Sequence, residues 1–164
     1  MSRQLSEHFT LAELCVSDTA ARRGINNIPQ DKKIIARLQR VAVTILEPVR
    51  MHYGTPISPT SGYRSPMLNA VTRGASRTSQ HMAGEAVDFE VPGVSNYELA
   101  LWCSKNIKQF GQLILEFHVK GDPYSGWVHC SLPTAKLRGQ LLTAERKHNM
   151  FGRMVTVYTP GLVN

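Results

Sequence analysis

The chain has three cysteines, Cys15, Cys103 and Cys130, an odd number with no CxxC spacing. That pattern argues against a disulfide framework and against a cysteine-built zinc site, and a reduced chain made in the cytosol is expected. No run approaches the roughly 20 apolar residues that a membrane span requires, and the opening MSRQLSEHF lacks the apolar core of a secretory signal. No stable membrane insertion is expected, and any action outside the cytoplasm needs another agent for delivery. Acidic residues are scarce: 12 Asp+Glu stand against 19 Lys+Arg, for a net charge of +7 and a pI near 9.6. Such a balance favours polyanionic surroundings, with Arg73, Arg77, Lys136, Arg138, Arg146 and Lys147 as the clustered cations. No nucleic-acid motif accompanies the charge, so nucleic acid is not the expected partner. No repeat, low-complexity tract or linker interrupts the 164 residues. One domain over 1–164, able to bury its own core and monomeric by default, is the expectation.

Helix signals fill the first half. Thr10 to Glu13 has the form of a capping box, and Ser17 to Asn27 reads as a connecting loop. Pro29 suits a first helical position, after which Ile34, Leu38, Val41, Ile45 and Val49 recur at helical spacing until Gly54, with a kink expected at Pro48. Ser65-Pro66 opens a short helix that stops before Gly74. Ser95 to Glu98 caps another, whose apolar stripe ends near Gly111. The period then changes to two. Gln112 to Val119, Gly126 to Leu132, Gln140 to Ala144 and Met154 to Tyr158 read as strands, which predicts an α+β fold with an antiparallel sheet.

Strand alternation assigns faces. In Glu85 to Val91, Val87, Phe89 and Val91 oppose Ala86, Asp88 and Glu90. In Gln112 to Val119, Leu113, Leu115, Phe117 and Val119 oppose Gln112, Ile114, Glu116 and His118. In Trp127 to Leu132, Val128, Cys130 and Leu132 oppose Trp127, His129 and Ser131. Each strand offers an apolar face to a core and a titratable group on its reverse, so Asp88, Glu116 and His129 can converge. Gly84 permits a turn that folds His81 back toward Asp88. Two imidazoles and one carboxylate suit a catalytic zinc ion with a position left for water, and a further carboxylate can then act as base. The chemistry this points to is metal-assisted amide hydrolysis.

The pattern S79-x-H81-x-x-G84-x-A86-x-D88, followed by W127-V128-H129, resembles the zinc D-alanyl-D-alanine carboxypeptidase and bacteriophage endolysin family, whose fold is shared with the Hedgehog signalling domain. HFTLAEL, EPVR, SGYRS at Ser61 to Ser65 and Leu68-Asn69 fit the same family, and the resemblance covers Glu7 to about Leu132. It implies one zinc ion on His81, Asp88 and His129, a sheet carrying that site with helices on its other face, and peptidoglycan as the partner and substrate. Arg64 in SGYRS corresponds to a basic residue that would hold a peptide carboxylate or stabilise an oxyanion. Tyr63 and Ser79 fall within the matching motifs and join His118 and Trp127 as candidate substrate contacts. The implied setting is a phage lysis or virion-associated enzyme that stays in the host cytoplasm until released to the wall.

Many relatives place the catalytic acid three residues before the last zinc histidine, where this chain has Gly126. Glu116 is then the candidate base, with Asp122 in reserve. The rival function is a zinc-containing wall-binding module that keeps the fold without catalysis. His8, His52 and His148 read as ordinary surface or core histidines. Glu85 and Glu90 read as solvated charge and Cys130 as core.

Overall fold

Helices fill the first half of the chain and the second holds all the strands with one helix among them, close to the order the sequence predicts, in a computed structural model that describes residues 3–163. The class is α+β, with a mixed sheet of four strands in the second half of the chain. The chain divides into two compact units, one running to Phe89 and the other beginning at Glu90.

In the first unit the predicted capping box is made. The Thr10 N–H donates to Glu13 Oε2 at 2.7 Å and the Glu13 N–H to Thr10 Oγ1 at 3.4 Å, ahead of a single 3-10 turn at Glu13–Cys15. The expected loop after it is instead partly helical. The Ser17 hydroxyl accepts from the Ala20 N–H at 3.2 Å and starts α1 (Asp18–Arg23), which Gly24 ends in the left-handed conformation. The polar residues that suggest a loop are the caps of a short helix. Asp31, rather than Pro29, opens α2 (Lys32–Val41), its carboxylate accepting from the Lys33 N–H at 2.7 Å. The kink expected at Pro48 takes the form of a π-helical turn, Ala42–Leu46, before α3 (Glu47–Tyr53). Proline has no N–H to give and its ring crowds the carbonyl four residues back. The wider turn, with the Glu47 N–H reaching Ala42 O, makes the room. Leu38, Val41, Ile45, Leu46 and Val49 are fully buried along this rod, and α2 packs on β1 (Ala86–Phe89). Ser65 caps α4 (Pro66–Val71) as predicted, accepting from the Leu68 N–H at 3.2 Å.

In the second unit Ser95 caps α5 (Asn96–Asn106), which packs on β2 (Gln112–Glu116) and β3 (Trp127–Ser131). Leu99, Ala100 and Cys103 of the helix and Leu113, Leu115, Val128 and Cys130 of the strands are all completely buried. This is the predicted core face. With β4 (Gln140–His148) and β5 (Met154–Pro160), the strand order is β3-β2-β4-β5. The expected all-antiparallel sheet is corrected here: β2 pairs with β3, and β4 with β5, antiparallel, but β2 pairs with β4 in parallel. After β3 the chain passes the start of β2, where the Gly139 N–H donates to Phe110 O and the Gln140 N–H to Gly111 O. It therefore enters β4 from the end at which β2 begins, and the two run the same way.

A second correction concerns the end of β2. Alternation carried Phe117 and Val119 into the core, but the strand stops at Glu116 and Phe117 has φ 58°, the one non-glycine residue with positive φ among those described. The flip breaks the alternation. Phe117 is half-buried, its ring edge-on to Trp127 with centroids 5.3 Å apart and beneath the Arg146 guanidinium at 4.7 Å, while Val119 is exposed. No described helix is long and apolar enough to cross a membrane.

Candidate metal centre

His81 sits in a chain of tight turns, with Met82 N–H donating to Ser79 O at 3.1 Å, Gly84 N–H to His81 O at 3.2 Å and Glu85 N–H to Gln80 O at 3.0 Å. Gly84 closes them at φ 68°, where a Cβ would lie 2.9 Å from both Cγ2 and O of Ile34 on α2. Only glycine permits this approach. His81 is 4% exposed, and its Nδ1 lies 2.7 Å from Gly62 O. A carbonyl only accepts, so Nδ1 carries the proton and Nε2 is left as the coordinating nitrogen of a neutral ring. That nitrogen lies 3.3 Å from Asp88 Oδ2.

Asp88 is held by its backbone. Its N–H donates to Ser61 O at 2.7 Å, and its carbonyl accepts from Thr60 N–H at 2.9 Å and from the Thr60 hydroxyl at 3.2 Å. The same extended segment carries Gly62, whose Cβ would fall 2.3 Å from Leu14 O. It also carries Arg64, half-buried, whose N–H donates to His81 O at 3.2 Å. Asn27 fastens the segment from behind: its Nδ2 donates to Cys15 O and Tyr63 O, both at 2.9 Å, and its Oδ1 accepts from Ser65 N–H at 2.7 Å. Sequence reasoning missed Asn27, and an asparagine in a polar stretch gives no signal of a buried clamp. Tyr63 is buried beside Cys15 and Asp31, and burial, followed by their charges, pushes its phenol up. Ser79 is half-exposed and accepts the Met82 N–H.

In the second unit His129 on β3 stands directly opposite Ile114, and Trp127 opposite Glu116. Cross-strand partners share a face, so Glu116, Trp127 and His129 lie on the side turned away from α5, as alternation predicts. Trp127 is half-buried, and its indole nitrogen is buried without a hydrogen-bond partner among the described residues. Past the flip at Phe117, His118 stacks on Tyr97 at 6.4 Å, its Nδ1 3.4 Å from Ser125 O and Oγ. Asp122 is exposed in the turn, its carboxylate accepting from Tyr124 N–H at 3.3 Å. Glu85 pairs with Arg37 at 3.3 Å. Glu90, expected as solvated charge, is half-buried and accepts from Asn96 Nδ2 at 3.0 Å.

The position of Gly126 has a backbone explanation. Its φ is 70°, and a Cβ there would lie 2.0 Å from Glu116 O and 2.7 Å from His118 N and Phe117 C. No side chain fits without parting the strands, so an acid has no place at this point of the hairpin.

One coordinating atom from each of His81, Asp88 and His129 lies within 4.8 Å of the others. At 4%, 8% and 7% exposure, all three are buried. Placing a carboxylate oxygen against the unprotonated nitrogen of a neutral imidazole is unfavourable unless a proton or a cation lies between them. Nitrogen and oxygen donors in a two-to-one ratio suit a divalent ion of borderline softness, zinc above all. Sequence comparison matches residues 7–131 to the family Peptidase M15. No curated protein matches the chain.

Proposed function

The chain belongs to the peptidase M15 family, zinc-dependent peptidases of the D-Ala-D-Ala carboxypeptidase type, and on that premise we propose that it hydrolyses an amide bond in peptidoglycan stem peptides or their cross-links. The observation that carries the reading is the buried His81, Asp88 and His129 group, whose donor chemistry fits zinc. Bound there, zinc polarises a carbonyl and lowers the pKa of a water to roughly 7.

The chain's own residues supply the rest. Glu116, on the same face of the sheet as His129, takes the proton from the attacking water and returns it to the leaving amine. Arg64 holds a peptide carboxylate or the developing oxyanion. The buried indole N–H of Trp127 is a donor suited to a substrate carbonyl, with His118 at the rim of the site. Gly126 no longer favours a binding module that has lost catalysis, because a backbone requirement accounts for it. A Hedgehog-like fold and a phage lysis or virion setting belong to the same reading. The net charge of +7 suits adsorption to an anionic wall.

The test is digestion of purified murein by zinc-loaded wild type, H81A and E116Q, with the products resolved by mass spectrometry. Wild type should release stem peptides or terminal D-alanine, H81A should lose both zinc and activity, and E116Q should keep zinc and lose activity. Inert wild type at one zinc per chain overturns the enzyme reading, and an active E116Q overturns Glu116 as base.

A further inference from the structure

Residues 132–164 lie beyond the stretch matched to the family, yet β4 and β5 extend the face that carries Glu116. Register fixes the neighbours: Glu116 pairs with Ala144 on β4, and Ala144 with Tyr158 on β5. All three side chains therefore point to one side of the sheet. Glu116 and Tyr158 are two strand spacings apart, roughly 10 Å between backbones. The residue between them is a fully buried alanine, whose single methyl is the smallest side chain that could separate them, and the charge of Glu116 is felt at the Tyr158 phenol.

We propose that Tyr158 is a positioning residue for Glu116, its hydroxyl donating a hydrogen bond to the carboxylate across Ala144 and holding it toward the scissile amide. The role rests on the reading of Glu116 as the base. Partial burial and then the charge of Glu116 hold the Tyr158 proton on above the ordinary phenol value, so the hydroxyl stays a donor. Tyr158 keeps 54% of its surface exposed, which leaves replacement by phenylalanine compatible with folding. The other titratable and charged groups of this unit on the same face are His129 on β3 and Arg146 and His148 on β4, and Arg146 is engaged over the Phe117 ring.

Two measurements test the pairing. In the zinc-loaded protein, Y158F should lower kcat on soluble muropeptides by about tenfold to a hundredfold, the worth of one hydrogen bond to a charged group. KM and zinc content should not change. In protein carrying 13C-labelled tyrosine, E116Q should let Tyr158 titrate at lower pH than in wild type, because a neutral amide does not oppose the phenolate. A Tyr158 titration unmoved by E116Q, or Y158F kinetics equal to wild type, overturns the pairing. Inert wild type in which E116Q still moves the titration refutes the peptidase reading and upholds the pairing.

Discussion

Replacing Gly126 with alanine tests the backbone geometry that leaves no room for a side chain at this position. An L-residue at φ 70° costs about 1–2 kcal/mol for the left-handed backbone alone. The added carbon also meets Glu116 O at 2.0 Å and His118 N and Phe117 C at 2.7 Å. All three are main-chain atoms that cannot rotate away, and overpacking of this kind adds about 1–3 kcal/mol. The sum, about 2–5 kcal/mol, is a large part of the 5–15 kcal/mol that typically holds a domain folded. At 2–4 °C per kcal/mol for a chain of this size, G126A should lower the melting temperature by about 4–20 °C. Gly121 supplies the control: its φ is 91°, but nothing lies within 4 Å of its Cβ position, so G121A carries the backbone cost without the contact. Calorimetry on both variants separates the two effects. If G126A melts with G121A, the close approach to Glu116 is not real and the steric explanation for glycine at this position fails.

Two further outcomes follow from titratable groups. Burial pushes the thiols of Cys15 and Cys130 up to about 12 and raises that of Cys103 well above its ordinary value, so native protein at pH 8 should react only slowly with a disulfide reagent and denatured protein at all three cysteines; fast reaction of any native thiol contradicts the packing. For Glu47, burial opposes the charge, but hydrogen bonds from the His8 N–H and ring, with the His8 charge, outweigh it and set the carboxyl below its usual 4.5. A lowered folded value means stability that is present above 4.5 and lost as pH falls through the folded value. E47Q should therefore flatten the acid limb of melting temperature against pH, and parallel curves for the two proteins would rule the pair out as a source of stability.

Much of the centre was legible because period-two alternation acts locally. Whatever the strand order, Asp88, Glu116 and His129 had to oppose Val87, Leu115 and Val128. The caps at Ser65 and Ser95 were equally local. Sheet direction was not, because it depends on which edge of β2 the chain reaches after residue 132, a choice made by the hydrogen bonds of Gly139 and Gln140. The flip at Phe117 was hidden too: nothing in LEFHV announces a positive φ, which is imposed by the glycine backbone that closes on it from across the hairpin. Asn27 and Tyr158 were invisible for a related reason. Each acts on a residue far along the chain, and no periodic pattern links distant positions.

The supports of the first two candidate ligands are mostly main chain. His81 is turned by the carbonyl of Gly62, and Asp88 is clamped to the backbone of Thr60 and Ser61. A peptide carbonyl is present whatever side chain stands beside it, so substitutions at Ser61 or Met82 leave these restraints in place, and one at Thr60 removes only its hydroxyl's bond to the Asp88 carbonyl. Gly62 and Gly84 are different, since each touches a neighbouring segment where its missing side chain would be. Around these two residues the chain is thus free to drift in sequence while its geometry stays fixed, and intolerance to mutation is concentrated on the two candidate ligands, the Asn27 clamp and two glycines.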